Sequence, residues 1–111
     1  MRKYIILEFT TEEAELLVGV FTQYVEQHRV LQFKVPAIDF DFNEMDFICS
    51  ALSILEDAAF LNIDVILYCP RKLNWVLYSL AMIIPSFSTE ENDHAAFQCI
   101  IKLLHAAKDG E

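Results

Sequence analysis

The sequence predicts an α+β domain: a small antiparallel sheet in the ferredoxin-like order β-α-β-β-α-β, with two further helices at the C-terminus. Two short runs rich in β-branched and aromatic residues, at 4–9 and 63–69, read as strands. Two stretches of period-two alternation flank Pro36 and read as a hairpin. The segments between carry apolar residues three and four apart, the mark of amphipathic helices. The competing architecture is a mostly α-helical bundle in which residues 30–42 are merely extended. At 111 residues, a single domain over residues 1–111 is expected.

The first strand sets Ile5, Leu7 and Phe9 against Tyr4, Ile6 and Glu8. With so little polar face it should be mostly covered. Thr10 can cap the following helix while Glu13, three residues on, reaches back to it in a capping box. Ala14, Leu17, Val18, Phe21, Tyr24, Val25 and His28 then form one stripe, with Glu15, Gly19, Thr22, Gln23 and Glu26 on the wet side. Glycine in mid-helix costs about 1 kcal/mol relative to alanine. Gly19 is therefore either an exposed position that tolerates this cost or a point where another backbone comes close.

Residues 30–35 alternate Leu31, Phe33 and Val35 with Gln32 and Lys34, and Ile38, Phe40 and Phe42 alternate with Asp39 and Asp41. Asn43 opens a second helix, with Glu44 and Asp46 favourable against its N-terminal dipole. Asp46, Ser50, Ser53 and Asp57 make so narrow a polar strip that cover on most sides is expected. Asn62 suits the C-cap, and the strand at 63–69 reads as interior. Pro70 fits the first position of a third helix over 71–84, which Pro85 stops. Ser88 with Glu91 reads as a second capping box. Ala96, Phe97, Ile100, Ile101, Leu103 and Leu104 read as the buried face of the last helix.

Composition points to association. Of the residues, 55% are hydrophobic, yet 17 Asp and Glu oppose 8 Lys and Arg, for a net charge of −9. A domain this small still exposes about a third of its unfolded-chain surface, so some apolar side chains must reach water. Contiguous exposed apolar area usually marks an interface, and a homodimer is the simplest outcome. The cations never cluster beyond pairs, which argues against direct nucleic-acid binding. The run after Lys3 is cut by Glu8, too short for a signal-peptide core, and the apolar stretch 73–84 is too short to span a bilayer. A cytoplasmic protein without membrane contact is expected.

Chemical motifs are sparse. Cys49, Cys69 and Cys99 form neither a disulfide framework nor a zinc pattern. Cys69, between a strand and a helix and followed by Arg71 and Lys72, is the one reactive-thiol candidate, because a helix N-terminus and cations lower a thiol pKa. The alternative is a cysteine ending a buried strand. Trp75 stands where a Cys-x5-Arg loop would need arginine. Asp39-Phe40-Asp41-Phe42-Asn43 begins like a calcium loop, but Glu44 replaces the turn glycine and Ser50 the bidentate glutamate. His28, His94 and His105 are scattered, and no Gly-rich phosphate loop exists, so no catalytic, metal or cofactor site is expected.

Three functions stand as expectations. The first is a non-enzymatic acidic protein-interaction module of the inhibitor, immunity or adaptor type, with another protein as its partner. Its surface would comprise Glu12, Glu13, Glu15, Asp39, Asp41, Glu90 and Glu91, with Trp75 as an aromatic anchor. The second is a small-ligand-binding domain with a pocket among Phe33, Phe40, Phe42, Tyr68 and Trp75. The third is a thiol-dependent enzyme using Cys69.

Overall fold

The computed structural model describes residues 3–34 and 42–110. Within them the elements run β1 (Tyr4–Phe9), α1 (Thr11–Lys34), α2 (Phe42–Leu61), β2 (Val65–Pro70), α3 (Asn74–Ile83) and α4 (Asp93–Asp109). Short 3₁₀ turns, Arg71–Leu73 and Ile84–Phe87, bracket α3. The strands pair antiparallel, from Tyr4 opposite Pro70 to Phe9 opposite Val65. Ile5, Leu7 and Phe9 of β1 join Val65, Leu67 and Cys69 of β2 on one buried face. That face meets helix residues such as Leu17, Phe21, Ile48, Leu55, Leu77, Leu80 and Leu103 in one continuous core. Helix α2 packs beside β2 and α4 beside β1, while α1 lies along α2.

The α+β class holds, and several finer expectations do not. Residues Val30 to Lys34 continue α1 and Phe42 begins α2, so neither belongs to a hairpin. The rest of that proposed hairpin, residues 35–41, lies outside the described residues, and the ferredoxin-like order is not observed. Alternation over five residues also satisfies helical spacing, and no Gly or Pro interrupts the chain between Gly19 and Pro36. Nor is β2 an interior strand among the described residues. Among the described residues the sheet has two strands, and Tyr4, Ile6, Ile66 and Tyr68 point outward about half exposed. Alternating burial, not cover on both sides, explains their pattern.

Helix ends obey local chemistry. Thr10 and Glu13 form the expected capping box: the Thr10 amide donates to Glu13 Oε1 at 2.8 Å and the Glu13 amide to Thr10 Oγ1 at 3.3 Å. Asn62 ends α2 in the left-handed region with φ of 56°, and the Ile63 amide donates back to the Ala58 carbonyl at 3.1 Å, a Schellman closure. The second capping box is absent. Asn92, not Ser88, precedes α4; its Oδ1 accepts from the Thr89 amide at 2.6 Å and its Nδ2 donates to the Phe87 carbonyl at 3.1 Å. The asparagine side chain thereby folds the turn before α4 rather than capping the helix itself. Pro70 ends β2 instead of starting α3. On α4, Phe97 and Leu104 face solvent, and the small residues Ala95, Ala96, Ala106 and Ala107 line the core instead.

Gly19 is a packing position. A Cβ there would meet the Phe87 ring at 2.9 Å. The close neighbour is thus a side chain, not a backbone. In a Phe87→Ala background, Gly19→Ala is expected to stabilise the fold by about 1 kcal/mol, because helix propensity alone remains. With Phe87 present the same change is expected to gain less or to destabilise, with a coupling of at least about 0.5 kcal/mol. Urea unfolding of the four chains measures it; equal effects in both backgrounds would show that the ring does not sit on Gly19.

Candidate functional site

The densest polar arrangement centres on Glu13, which is only 3% exposed. Besides the Thr10 amide, Glu13 Oε1 accepts a hydrogen bond from Lys102 Nζ of α4 at 2.6 Å. Cys99 Sγ, also on α4, donates to Glu13 Oε2 at 3.8 Å. Lys102 Nζ further lies 5.6 Å from the centroid of the Phe9 ring. Burial opposes ionisation of Glu13, but the Lys102 and Thr10 contacts outweigh it and hold the carboxyl below its ordinary range. Burial, followed by the Glu13 charge, pushes the Cys99 thiol up to about 12. The Glu13 carboxylate thus ties the first turn of α1 to α4. Glu13 is therefore withdrawn from the acidic surface expected of it. The capping pattern was readable in the sequence, whereas the partner 89 residues away was not.

A second buried carboxylate, Glu44, accepts a hydrogen bond from Tyr24 Oη and joins α2 to α1. Burial, then the Glu44 contact, raises the Tyr24 pKa, so the phenol stays protonated.

Cys69 ends on the buried face of β2, where its Sγ lies 3.5 Å from the Pro70 carbonyl oxygen and 4.0 Å from that of Leu73. Beyond Pro70 the chain enters a three-residue 3₁₀ turn, not the N-terminus of an α-helix. Burial pushes this thiol up to about 12, opposite to the direction expected from its neighbours in sequence. Cys49 is the exposed thiol.

The remaining acidic candidates separate. Glu12, Glu15 and Glu91 line one open groove of about 490 Å³ between α1 and the turn before α4, together with Leu16, Gly19, Phe87, Thr89 and Asn92. Glu90 is exposed beside Glu91 but does not line the groove. Asp39 and Asp41 lie outside the described residues. Trp75 is half-exposed on α3 in a stripe with Tyr78 and Met82. Of the pocket residues expected for a small ligand, Tyr68 and Trp75 stand on the surface and line none of the described clefts; the side chains of Phe33, Phe40 and Phe42 are outside the described residues.

Among the described residues no cluster of His, Cys, Asp or Glu is arranged to hold a metal ion, and no helix is long and apolar enough to cross a membrane. Comparison with protein-family models, with curated proteins and with solved structures gave no match.

Two outcomes are expected. A depressed carboxyl pKa stabilises the fold above the unfolded value and loses that contribution as the pH falls through the folded one. Stability should therefore drop as the pH falls from about the ordinary glutamate value of 4.5 downward, and Glu13→Gln should flatten that limb of a thermal-unfolding series. In thiol mapping at neutral pH, Cys49 should alkylate first. Cys69 should lag well behind a model thiol, and rapid labelling of Cys69 would contradict its burial.

Proposed function

We propose that the chain is a non-enzymatic acidic protein-interaction module of the inhibitor, immunity or adaptor type, acting as a homodimer in the cytoplasm. Its partner is a basic surface of another protein, not nucleic acid or a membrane. The observation that supports this reading is the groove that Glu12, Glu15 and Glu91 line together with the apolar side chains of Leu16 and Phe87. A lysine or arginine stem packs on such side chains while its cationic head meets the carboxylates. The three side chains come from two separate segments, so folding is what gathers them. The net charge of −9 adds long-range attraction for a cationic partner and speeds encounter.

Affinity purification from the native host with the wild-type chain and with Glu12→Lys/Glu15→Lys/Glu91→Lys tests the reading. The wild type is expected to retain a basic protein that elevated salt releases, and the reversed chain to lose it. Kinetic measurement on that partner should place much of the loss in the association rate, as for rim charges. Retention of the same partner by the reversed chain would remove the groove from the reading.

A further inference from the structure

We infer that the outer face of the β1–β2 sheet seats a second copy of this chain, packed face to face with its strands antiparallel. The inference rests on the self-association contained in the proposed function and names its surface. On that face Ile6 stands directly opposite Tyr68 and Glu8 opposite Ile66, with Tyr4 at the far end of β1. Tyr4, Ile6, Ile66 and Tyr68 are 52%, 47%, 50% and 59% exposed. Together they offer about 400 Å² of largely apolar surface. One partner's share of a standard interface is about 800 Å², a little over half of it apolar. The face thus supplies close to the whole apolar part of one such share.

The charges at its two ends select a second copy as the occupant. At the Tyr4 end lie Lys3, Lys72 and Arg71; the Arg71 amide donates to the Lys3 carbonyl at 2.9 Å and its guanidinium to the Asp109 carbonyl of α4 at 2.9 Å. At the other end lie Glu8 and Asp64. The Tyr4 end of the ribbon therefore carries three of the chain's eight cations against one carboxylate, Asp109, and the other end two carboxylates beside Lys102, which is itself paired with Glu13. A two-fold axis that sets the strands antiparallel lays each basic end over the acidic end of the other copy. The same operation brings the Tyr4 hydroxyl over the second copy's Glu8 carboxylate. Such self-complementarity is what a two-fold interface requires. Other apolar side chains are exposed as well: Phe60, Leu61 and Ile63 at the end of α2, Phe97 and Leu104 on α4, and the stripe Trp75, Tyr78 and Met82 on α3, a helix without a single charged residue. Two-stranded sheets are marginal alone, and a second sheet stacked about 10 Å away covers the open face.

Light scattering coupled to size exclusion tests the inference, with far-UV circular dichroism of each chain as the check on folding. The wild type is expected at twice the chain mass of 12.8 kDa. Tyr68→Glu and Ile6→Glu are expected at the single mass, and Met82→Glu at the double mass. Where a glutamate variant loses its fold, Tyr68→Thr and Ile6→Thr keep a strand-compatible residue and are read instead. Tyr4→Lys should tighten the dimer against the opposing Glu8, whereas Tyr4→Glu should weaken it tenfold or more. Equal weakening by both would overturn the antiparallel arrangement. A double mass dissolved by Met82→Glu but not by Tyr68→Glu would overturn the surface alone. A single mass for the wild type at every concentration would overturn self-association as well, leaving the groove for a basic partner to be judged by its own experiment.

Discussion

The Glu13 carboxylate is where the first turn of α1 is tied to the middle of α4, and the arrangement of the groove beside α1 depends on that tie. One oxygen takes the Thr10 amide and the Lys102 ammonium, and the other faces the Cys99 thiol. An ion pair with one partner buried adds little net stability over an apolar substitute, because desolvation of the carboxylate cancels much of the attraction. Its force is in what it forbids. Any packing of α4 that separated Lys102 from Glu13 would leave the buried carboxylate without its cation, a cost that the partial exposure of Lys102 lessens but does not remove. Helix α4 is thereby held against β1, where its Lys102 also approaches the Phe9 ring. The same turn of α1 carries Glu12 and Glu15 outward, so the acidic rim of the groove is positioned by a carboxylate that is not part of it.

Sequence alone reveals what neighbours along the chain decide. The Thr10–Glu13 box, the left-handed Asn62, the α1 stripe and the strand at β1 all depend on residues within one or two turns. The errors arise where distant partners decide. Residues 30–34 carry a pattern that suits either a strand or a helix, and the continuation of α1 resolves it. Cys69 is judged in the sequence by the adjacent Arg71 and Lys72, yet the core around it sets its pKa. Ser88 and Glu91 have the right spacing for a cap, but the Asn92 side chain bonds both the Thr89 amide and the Phe87 carbonyl and takes the turn. Of the candidate surface, Glu12, Glu15 and Glu91 could be named from composition. Their meeting across one groove, and the loss of Glu13 from it, required the fold.

The apolar excess that marks the composition is distributed in the structure by a simple geometric limit. A two-stranded sheet with helices on one side has only one face to give to the core. The period-two pattern in β1 and β2 fills that face with Ile5, Leu7, Phe9, Val65, Leu67 and Cys69, and whatever stands between them must point to water. In a solvated strand those places ordinarily carry polar side chains, with hydrophobic-in and polar-out alternation. Here four of the five are aromatic or aliphatic, and Glu8 alone is charged.

Two copies of a chain with net charge −9 repel one another at long range, and that repulsion limits where they can meet. At physiological salt the Debye length is about 8 Å, so the local pattern at the contact outweighs the net charge of the rest. The ribbon is suited to such a contact because cations predominate at one end and carboxylates at the other, with apolar residues between them. It shares no residue with the groove of Glu12, Glu15 and Glu91. A dimer formed through the sheet would therefore carry two acidic grooves lined by their own chains. Two grooves on one particle raise the effective concentration of the second binding event wherever a basic partner repeats its surface or itself dimerises. In that arrangement the apolar excess and the acidic excess have different tasks: the first joins the copies, and the second receives the partner.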